Sequence, residues 1–226
     1  MNIWIYFDDL MTYTSTSSTT DSNSPNAPSA VSAACSGTNI TLNWSNGTDG
    51  ESGVDGILIL RQAGLQTADQ SVSNQVTYST SSSTGPVAAG SYAVVYNGAT
   101  TTTITDNPGS TGTYTYLLYM RDRNYNYTAL TAAARIWVLN GTSLSVTASS
   151  TTSIDGLYIP STCSLTVSSS GVVSIRSGAV ISVSGTIVNQ GNIQNSGTLT
   201  FANGSLFNYN RNGASSGYSI PTATWS

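Results

Sequence analysis

SLTVSSSGVVSIRSGAVISVSGTIVNQGNIQNSGTLTFANGSLF, residues 164–207, decides how the chain is read. Ile175, Ile181, Ile187, Ile193 and Leu199 recur at a fixed interval of six, as do Gly185, Gly191 and Gly197, and Asn189 with Asn195. Almost everything between them is Ser, Thr, Asn or Gly. A repeat this short buries no apolar face alone, so its copies must stack. The interval fits neither the helical period nor the coiled-coil heptad. It fits short strands that turn at corners, where Gly and Asn supply positive φ angles. Leu165 with Val167, Val173 with Ile175, Ala179 with Ile181 and Val183, and Leu199 with Phe201 alternate along the chain as strands with one buried face do. Leu206 and Phe207 then close a last coil. The stretch predicts a β-solenoid with an inward apolar ladder and Asn side chains stacked at the corners.

Upstream the pattern lengthens. Ile40, Leu42 and Trp44 alternate; Asn46 to Gly53 is a turn cluster; Val54 to Leu60 is a strongly apolar strand. Gln62 to Gly90 is a long polar insertion. Ser91 to Tyr96, Thr100 to Thr105, Tyr114 to Met120 and Tyr127 to Val138 read as further strands, separated by turn signals such as Asn97-Gly98 and Asn107-Pro108-Gly109. Strands at this spacing predict an antiparallel sandwich. Before it, Ile3 to Phe7 is aromatic and strand-like, either packed at a domain edge or donated to a neighbouring subunit. Met1 to Thr14 lacks the basic region of a signal peptide. Thr14 to Pro28 reads as a linker or extended lead-in.

Composition narrows the function classes. Of 226 residues only 7% are charged, against roughly 25% in ordinary globular domains, and the chain has neither Lys nor His. With a formal charge of −4 and no basic patch, a nucleic-acid partner is not expected. No apolar run approaches the ~20 residues of a membrane span. The lack of His removes Ser-His-Asp, Cys-His and zinc-His chemistry, and the His-dependent acyltransferases built on hexapeptide repeats. A glycoside hydrolase needs two placed carboxylates, and the solenoid half offers only Asp155. Asp49, Glu51 and Asp55 crowd one Gly-containing turn and form the candidate metal site, for a hard cation such as Ca²⁺; the alternative is a solvated acidic turn. Tyr125, Tyr127, Tyr209 and Tyr218 lie near polar turns, and such rings stack on sugar faces, but tyrosines of β proteins are more often rim or core residues, so no glycan site is assigned to them. Cys35 and Cys163 fall in different halves. Pairing would close a long loop worth about 4 kcal/mol in the chain-entropy model; two buried thiols are the alternative.

Trp44 on the second strand, followed by Gly112, Thr113, Tyr114, Thr115, Tyr116, Leu117 and Leu118 before a polar turn, resembles a fibronectin type III module over about Pro28 to Val138. The resemblance implies that Tyr114 is the corner tyrosine, its hydroxyl tied to the preceding turn. The insertion after Arg61 departs from the compact family pattern, and no Arg-Gly-Asp motif is present. The phrase Val54 to Arg61, with Tyr92 to Tyr96 and Asp122 to Tyr127, resembles variants in large secreted bacterial surface proteins. The hexads, with Asn208 to Gly213 and Ile220 to Trp225, resemble solenoid segments of the same class, in which this chain would be a piece.

The expected organisation is all-β: residues 1–27 an N-terminal strand and Ser/Pro-containing linker, 28–138 an antiparallel fibronectin III-like sandwich, and 139–226 a short β-solenoid. The expected role is a non-enzymatic spacer and stiff stalk of an extracellular or cell-surface bacterial protein. A carbohydrate-binding accessory module and a self-assembling filament subunit are the alternatives. The expected partners are a polysaccharide or cell-surface component, or further copies of the chain.

Overall fold

Ile57 to Leu60 allows no polar alternation, and a strand of that kind must be covered on both faces. The computed structural model describes residues 22–147, 151–209 and 223–225. Its architecture is all-β, and the one helical element among the described residues is a 3₁₀ turn at Ala132–Ala134. The first half contains strands β1 (Ser29–Ser36), β2 (Asn39–Ser45), β3 (Val54–Ala63), β4 (Ala88–Ala89), β5 (Tyr92–Ala99), β6 (Thr103–Asp106), β7 (Gly112–Asp122) and β8 (Arg135–Asn140). A small sheet, β1-β2-β6, faces part of a larger one ordered β4-β5-β3-β7-β8, and these pairs are antiparallel. Val31, Ile40, Leu42 and Trp44 of the small sheet pack on Ile57, Ile59, Tyr116, Leu118 and Val138 of the large one.

The other face of β3 and β7 is also covered. Leu58, Leu60, Leu117 and Tyr119 form a second core with Tyr78, Tyr92 and Tyr127, against which Val72 and Val76 pack. The insertion after β3 is therefore a third layer, which is why Ile57, Leu58, Ile59 and Leu60 are all fully buried. Three strand expectations shift: Ser91 to Tyr96 becomes Tyr92–Ala99, which runs on through Asn97-Gly98, expected as a turn. Thr100 to Thr105 becomes Thr103–Asp106, and the last strand starts at Arg135 rather than Tyr127, which makes only a single bridge to Arg121. The end of the lead-in is pinned, with Pro25 and Pro28 buried and Asn26 N–H donating to Thr48 O at 2.8 Å. The strand expected at Ile3 to Phe7 lies outside the described residues, as do Asn210 to Thr222.

The second half comprises β9 (Leu144–Val146), β10 (Thr151–Ile159), β11 (Ser164–Val167), β12 (Val172–Val183), β13 (Thr186–Asn189), β14 (Asn192–Asn195), β15 (Thr198–Phe201), β16 (Leu206–Tyr209) and β17 (Thr224–Trp225). All their pairings are parallel, and they wind a β-solenoid of about three turns. The hexad residues are all buried, pointing inward as expected. Consecutive ones do not stack on one another, however. Ile181, Ile187 and Ile193 occupy successive sides of a coil, and the next hexad residue, Leu199, lies over Ile181. The stacked series are Leu144, Leu165, Ile187 and Phe207 on one side and Leu157, Ile181 and Leu199 on another.

Two corner expectations are corrected. Gly185, Gly191 and Gly197 are absent from the positive-φ glycines; their role is close approach. A Cβ on Gly191 would lie 2.3 Å from both Gly171 O and Ser168 O, the carbonyls of the corner beneath. The Asn residues do not form a ladder, because Asn189 faces Val167 and Tyr209 in register. Instead Gly191 N–H donates to Asn189 Oδ1 at 3.1 Å and Gly197 N–H to Asn195 Oδ1 at 3.0 Å, local turns that set each corner. Of the closing pair, Phe207 packs edge-on against Phe201 while Leu206 is exposed.

The halves share a wall. β8 pairs antiparallel with β7 and parallel with β10, so one ten-stranded sheet runs from the sandwich into the solenoid. Alternate β8 residues serve the two cores: Ile136 and Val138 face the sandwich, Trp137 and Leu139 the solenoid.

Candidate functional site

In a chain without lysine, a carboxylate set between apolar residues of a buried strand must find an arginine. Asp155 interrupts the apolar run of β10 between Ile154 and Leu157 and is 5% exposed. Arg135, which opens β8 and is itself 2% exposed, donates from Nη1 to Asp155 Oδ2 at 2.8 Å. Arg176 Nη1 lies 3.2 Å from the other oxygen, Oδ1. It reaches there because β12 carries extra residues between Ile175 and Val180, opposite a register shift at Asp155.

Arg135 also grips the insertion. Its Nη1 donates to Thr67 O at 2.9 Å and its Nη2 to Ala68 O and to Asp69 Oδ1, while Trp137 Nε1 donates to Gln66 O at 3.0 Å. One guanidinium thus ties sandwich strand, solenoid strand and insertion together at a single buried point. Leaving either charge alone there would be costly, which is the physical reason all three meet. The sequence showed Asp155 as a lone carboxylate. Its partners come from far along the chain, so spacing gave no signal for them.

A cleft of about 380 Å³ opens beside this node. Ser24, Asp69, Ser71, Val72, Tyr119 and Leu130 are among its walls. The Asp69 side chain is 76% exposed although Arg135 holds one of its oxygens. The tyrosines beside it present no open ring face: Tyr119 and Tyr127 are almost fully buried and donate their hydroxyls to Gln70 O and Val76 O. Burial pushes both phenols up, Tyr127 to about 12 and Tyr119 further.

The carboxylates of the expected cation site are engaged separately. Asp55 forms an ion pair with Arg121 at 2.6 Å. Asp49 accepts from Glu51 N–H at 3.1 Å and from Ser52 Oγ at 3.0 Å, closing its own turn, and Glu51 accepts from Asn23 Nδ2. Among the described residues, no three His, Cys, Asp or Glu side chains gather as a metal site. Of the tyrosines singled out in the sequence, Tyr125 lies under Arg121, whose guanidinium carbon is 4.6 Å from the ring centre, and Tyr209 is exposed on β16. Tyr218 lies outside the described residues.

No protein-family model matches the chain, and no curated protein matches it. Among solved structures, the spore cortex lytic enzyme SleM of Clostridium perfringens overlaps 52% of this chain and 28% of its own, at 11% identity and a TM-score of 0.32. The pectate lyase PelI of Erwinia chrysanthemi, solved with tetragalacturonic acid, overlaps 80% of this chain and 57% of its own, at 14% identity and a TM-score of 0.27. The chain spans less than two thirds of either structure.

Proposed function

We propose that the chain is a non-enzymatic structural or adhesive segment of a secreted or cell-surface bacterial protein, its sandwich a spacer and its solenoid a stiff stalk. The observation that carries this reading is the sheet that continues through β8, whose pairing with β10 at Trp137–Leu157 and Val138–Tyr158 joins the halves. Tension or bending applied at one half reaches the other through backbone hydrogen bonds and two cores that share one strand. The resemblance to a fibronectin type III module is supported by the order of its sheets, β1-β2-β6 against β5-β3-β7-β8, and by Tyr114, whose hydroxyl donates to Ser110 O at 2.9 Å.

A second reading, a carbohydrate-binding accessory module, is favoured by the cleft at Asp69, whose exposed carboxylate and neighbouring Ser24 and Ser71 suit the hydroxyls of a neutral sugar. The two readings part on one experiment. The intact chain is incubated with a panel of plant, fungal and bacterial polysaccharides, and both saturable binding and reducing-end release are measured. The spacer reading expects neither. Saturable binding to one polysaccharide that is lost in Ser71→Trp, which fills the cleft, establishes the accessory role instead. Release of reducing ends overturns both readings.

A further inference from the structure

On β3 the alternate residues Ile57, Ile59, Arg61 and Ala63 share the face that the small sheet covers, and the last two lie where that cover runs out. Strand β6 ends at Asp106, whose Oδ2 accepts from Arg61 Nη1 at 2.6 Å and from the Tyr116 hydroxyl at 2.7 Å. Beyond this pair the large sheet carries small side chains: Ala93 stands opposite Arg61 in register, and Ala63 opposite Tyr114. A hollow of about 460 Å³ opens there, closed on its far side by Pro108 and Ser110 of the β6–β7 turn. Among the described residues its lining holds a cation and no carboxylate, the reverse of the cleft at Asp69. The Arg61 side chain is 22% exposed, and Asp106 takes one of the several N–H donors of its guanidinium. Tyr114 backs it, with the ring centre 5.9 Å from Arg61 Cζ and the hydroxyl donating to Ser110 O at 2.9 Å. The cation is therefore held by Asp106 and Tyr114 before any ligand arrives. At the opposite rim Ser91 Oγ donates to Gln62 Oε1 at 2.9 Å, a pair that offers a hydroxyl oxygen as acceptor and an amide as donor.

We propose that this hollow binds a uronic-acid residue of an acidic polysaccharide. The sugar carboxylate pairs with the Arg61 guanidinium, whose planar fork matches two carboxylate oxygens. The ring hydroxyls meet Gln62, Ser91 and Ser110, and the C–H face of the sugar lies on Ala93 and Pro108. Asp106 stays outside the lining and orients Arg61 without meeting the ligand. The apolar lining is limited to Ala63, Ala93 and Pro108, so a fatty or aromatic acid finds little to cover it, whereas a sugar acid finds hydroxyl partners. The chain as a whole carries −4, which makes the recognition local: one uronate at one arginine, not a polyanion spread over a basic face. The proposal rests on the adhesive form of the reading above and supplies its ligand; a chain that is only a spacer binds no sugar.

The test titrates the intact chain and its Arg61→Gln, Ala93→Trp and Ser71→Trp variants by calorimetry. The probes are the tetrasaccharides of mannuronic and of galacturonic acid, their methyl esters, and cellotetraose. The expected result is saturable binding of at least one uronate tetrasaccharide. It should weaken at least about tenfold in Arg61→Gln, in Ala93→Trp and on methyl esterification, and stay unchanged in Ser71→Trp. Ala93 is exposed, and Ala93→Trp puts an indole into the hollow while leaving the Arg61–Asp106 pair in place, so it tests the site even where Arg61→Gln fails to fold. Equal affinity for acid and ester, or for cellotetraose, removes the carboxylate from recognition and overturns the proposal. Binding lost in Ser71→Trp and kept in Ala93→Trp also overturns it, placing the sugar in the cleft at Asp69. Absence of binding to every uronate overturns the site and leaves the spacer reading standing.

Discussion

Ile187 shows what a single buried side chain does here. It is 1% exposed and lies between Leu165 and Phe207 in one stacked series. Ile187→Asp places an unpaired charge in a narrow apolar column and should remove more than about 4 kcal/mol, unfolding the solenoid. An unchanged thermal transition by circular dichroism would refute its inward position. Trp44 does the same for the sandwich: 5% exposed, with Nε1 donating to Asn46 Oδ1 at 2.9 Å. Truncation to Ala should cost roughly 3–5 kcal/mol, read as a lower urea midpoint at constant slope. The buried tyrosines set the alkaline limit. Burial raises Tyr116, Tyr119 and Tyr127, and Tyr116 is raised further because its hydroxyl donates to Asp106 at 2.7 Å. A raised folded-state pKa means the folded chain keeps a proton that the unfolded chain releases. Their contribution is therefore complete below about pH 10 and is lost progressively above it. Urea midpoints should be level with respect to these groups up to about pH 9 and fall steeply beyond pH 10, with tyrosinate absorbance appearing as the chain unfolds. Tyrosinate forming fully in the folded chain near pH 10 would contradict their burial.

At the scale of elements, the hexads made the solenoid legible, because a fixed interval of inward residues is a local pattern. What they left open was which residues stack, since one hexad builds a side and a coil takes several. Register follows from where the chain returns, and that is a long-range fact. The Asn corners misled for a related reason: a repeated Asn suits a ladder and a local turn equally, and only the pairing of Asn189 with Val167 and Tyr209 decides between them. The third layer was half visible. The run Ile57 to Leu60 demanded cover on two faces, but the polar insertion that gives it contributes scattered residues, Val72, Val76 and Tyr78, without periodicity. The charged node was the least legible, because Arg135, Asp155 and Arg176 meet only through the fold. The glycines give the element-scale test. Gly191→Ala drives a methyl into two backbone carbonyls and should cost about 1–3 kcal/mol or more, whereas Gly50→Ala, with nothing within 4 Å, should stay within about 0.5 kcal/mol. Equal urea midpoints for the two variants would show that the corner is not closely packed.

For the whole molecule the question is whether sandwich and solenoid unfold as one body. β8 gives two side chains to each core, and Arg135 at its start holds the insertion, Asp69 and Asp155 together. If the shared sheet couples the halves, damage at the node must be felt equally in both. Asp155→Ala leaves Arg135 buried with part of its compensation gone, a loss of roughly 3–5 kcal/mol for a broken buried pair. Because Asp155 belongs to the solenoid strand β10, independent halves would confine that loss to the solenoid. Native-state hydrogen exchange separates the two outcomes, since the most protected amides open only with the cooperative unit that contains them. Amides of the sandwich strands β3 and β7, neither of which pairs with β10, are compared with those of β12 and β13. A single body expects both sets to exchange faster by the same factor, about two to four powers of ten. Acceleration confined to β12 and β13, with β3 and β7 unchanged, would make the sheet a passive junction and take away the mechanical argument for a stalk that bears load through its spacer.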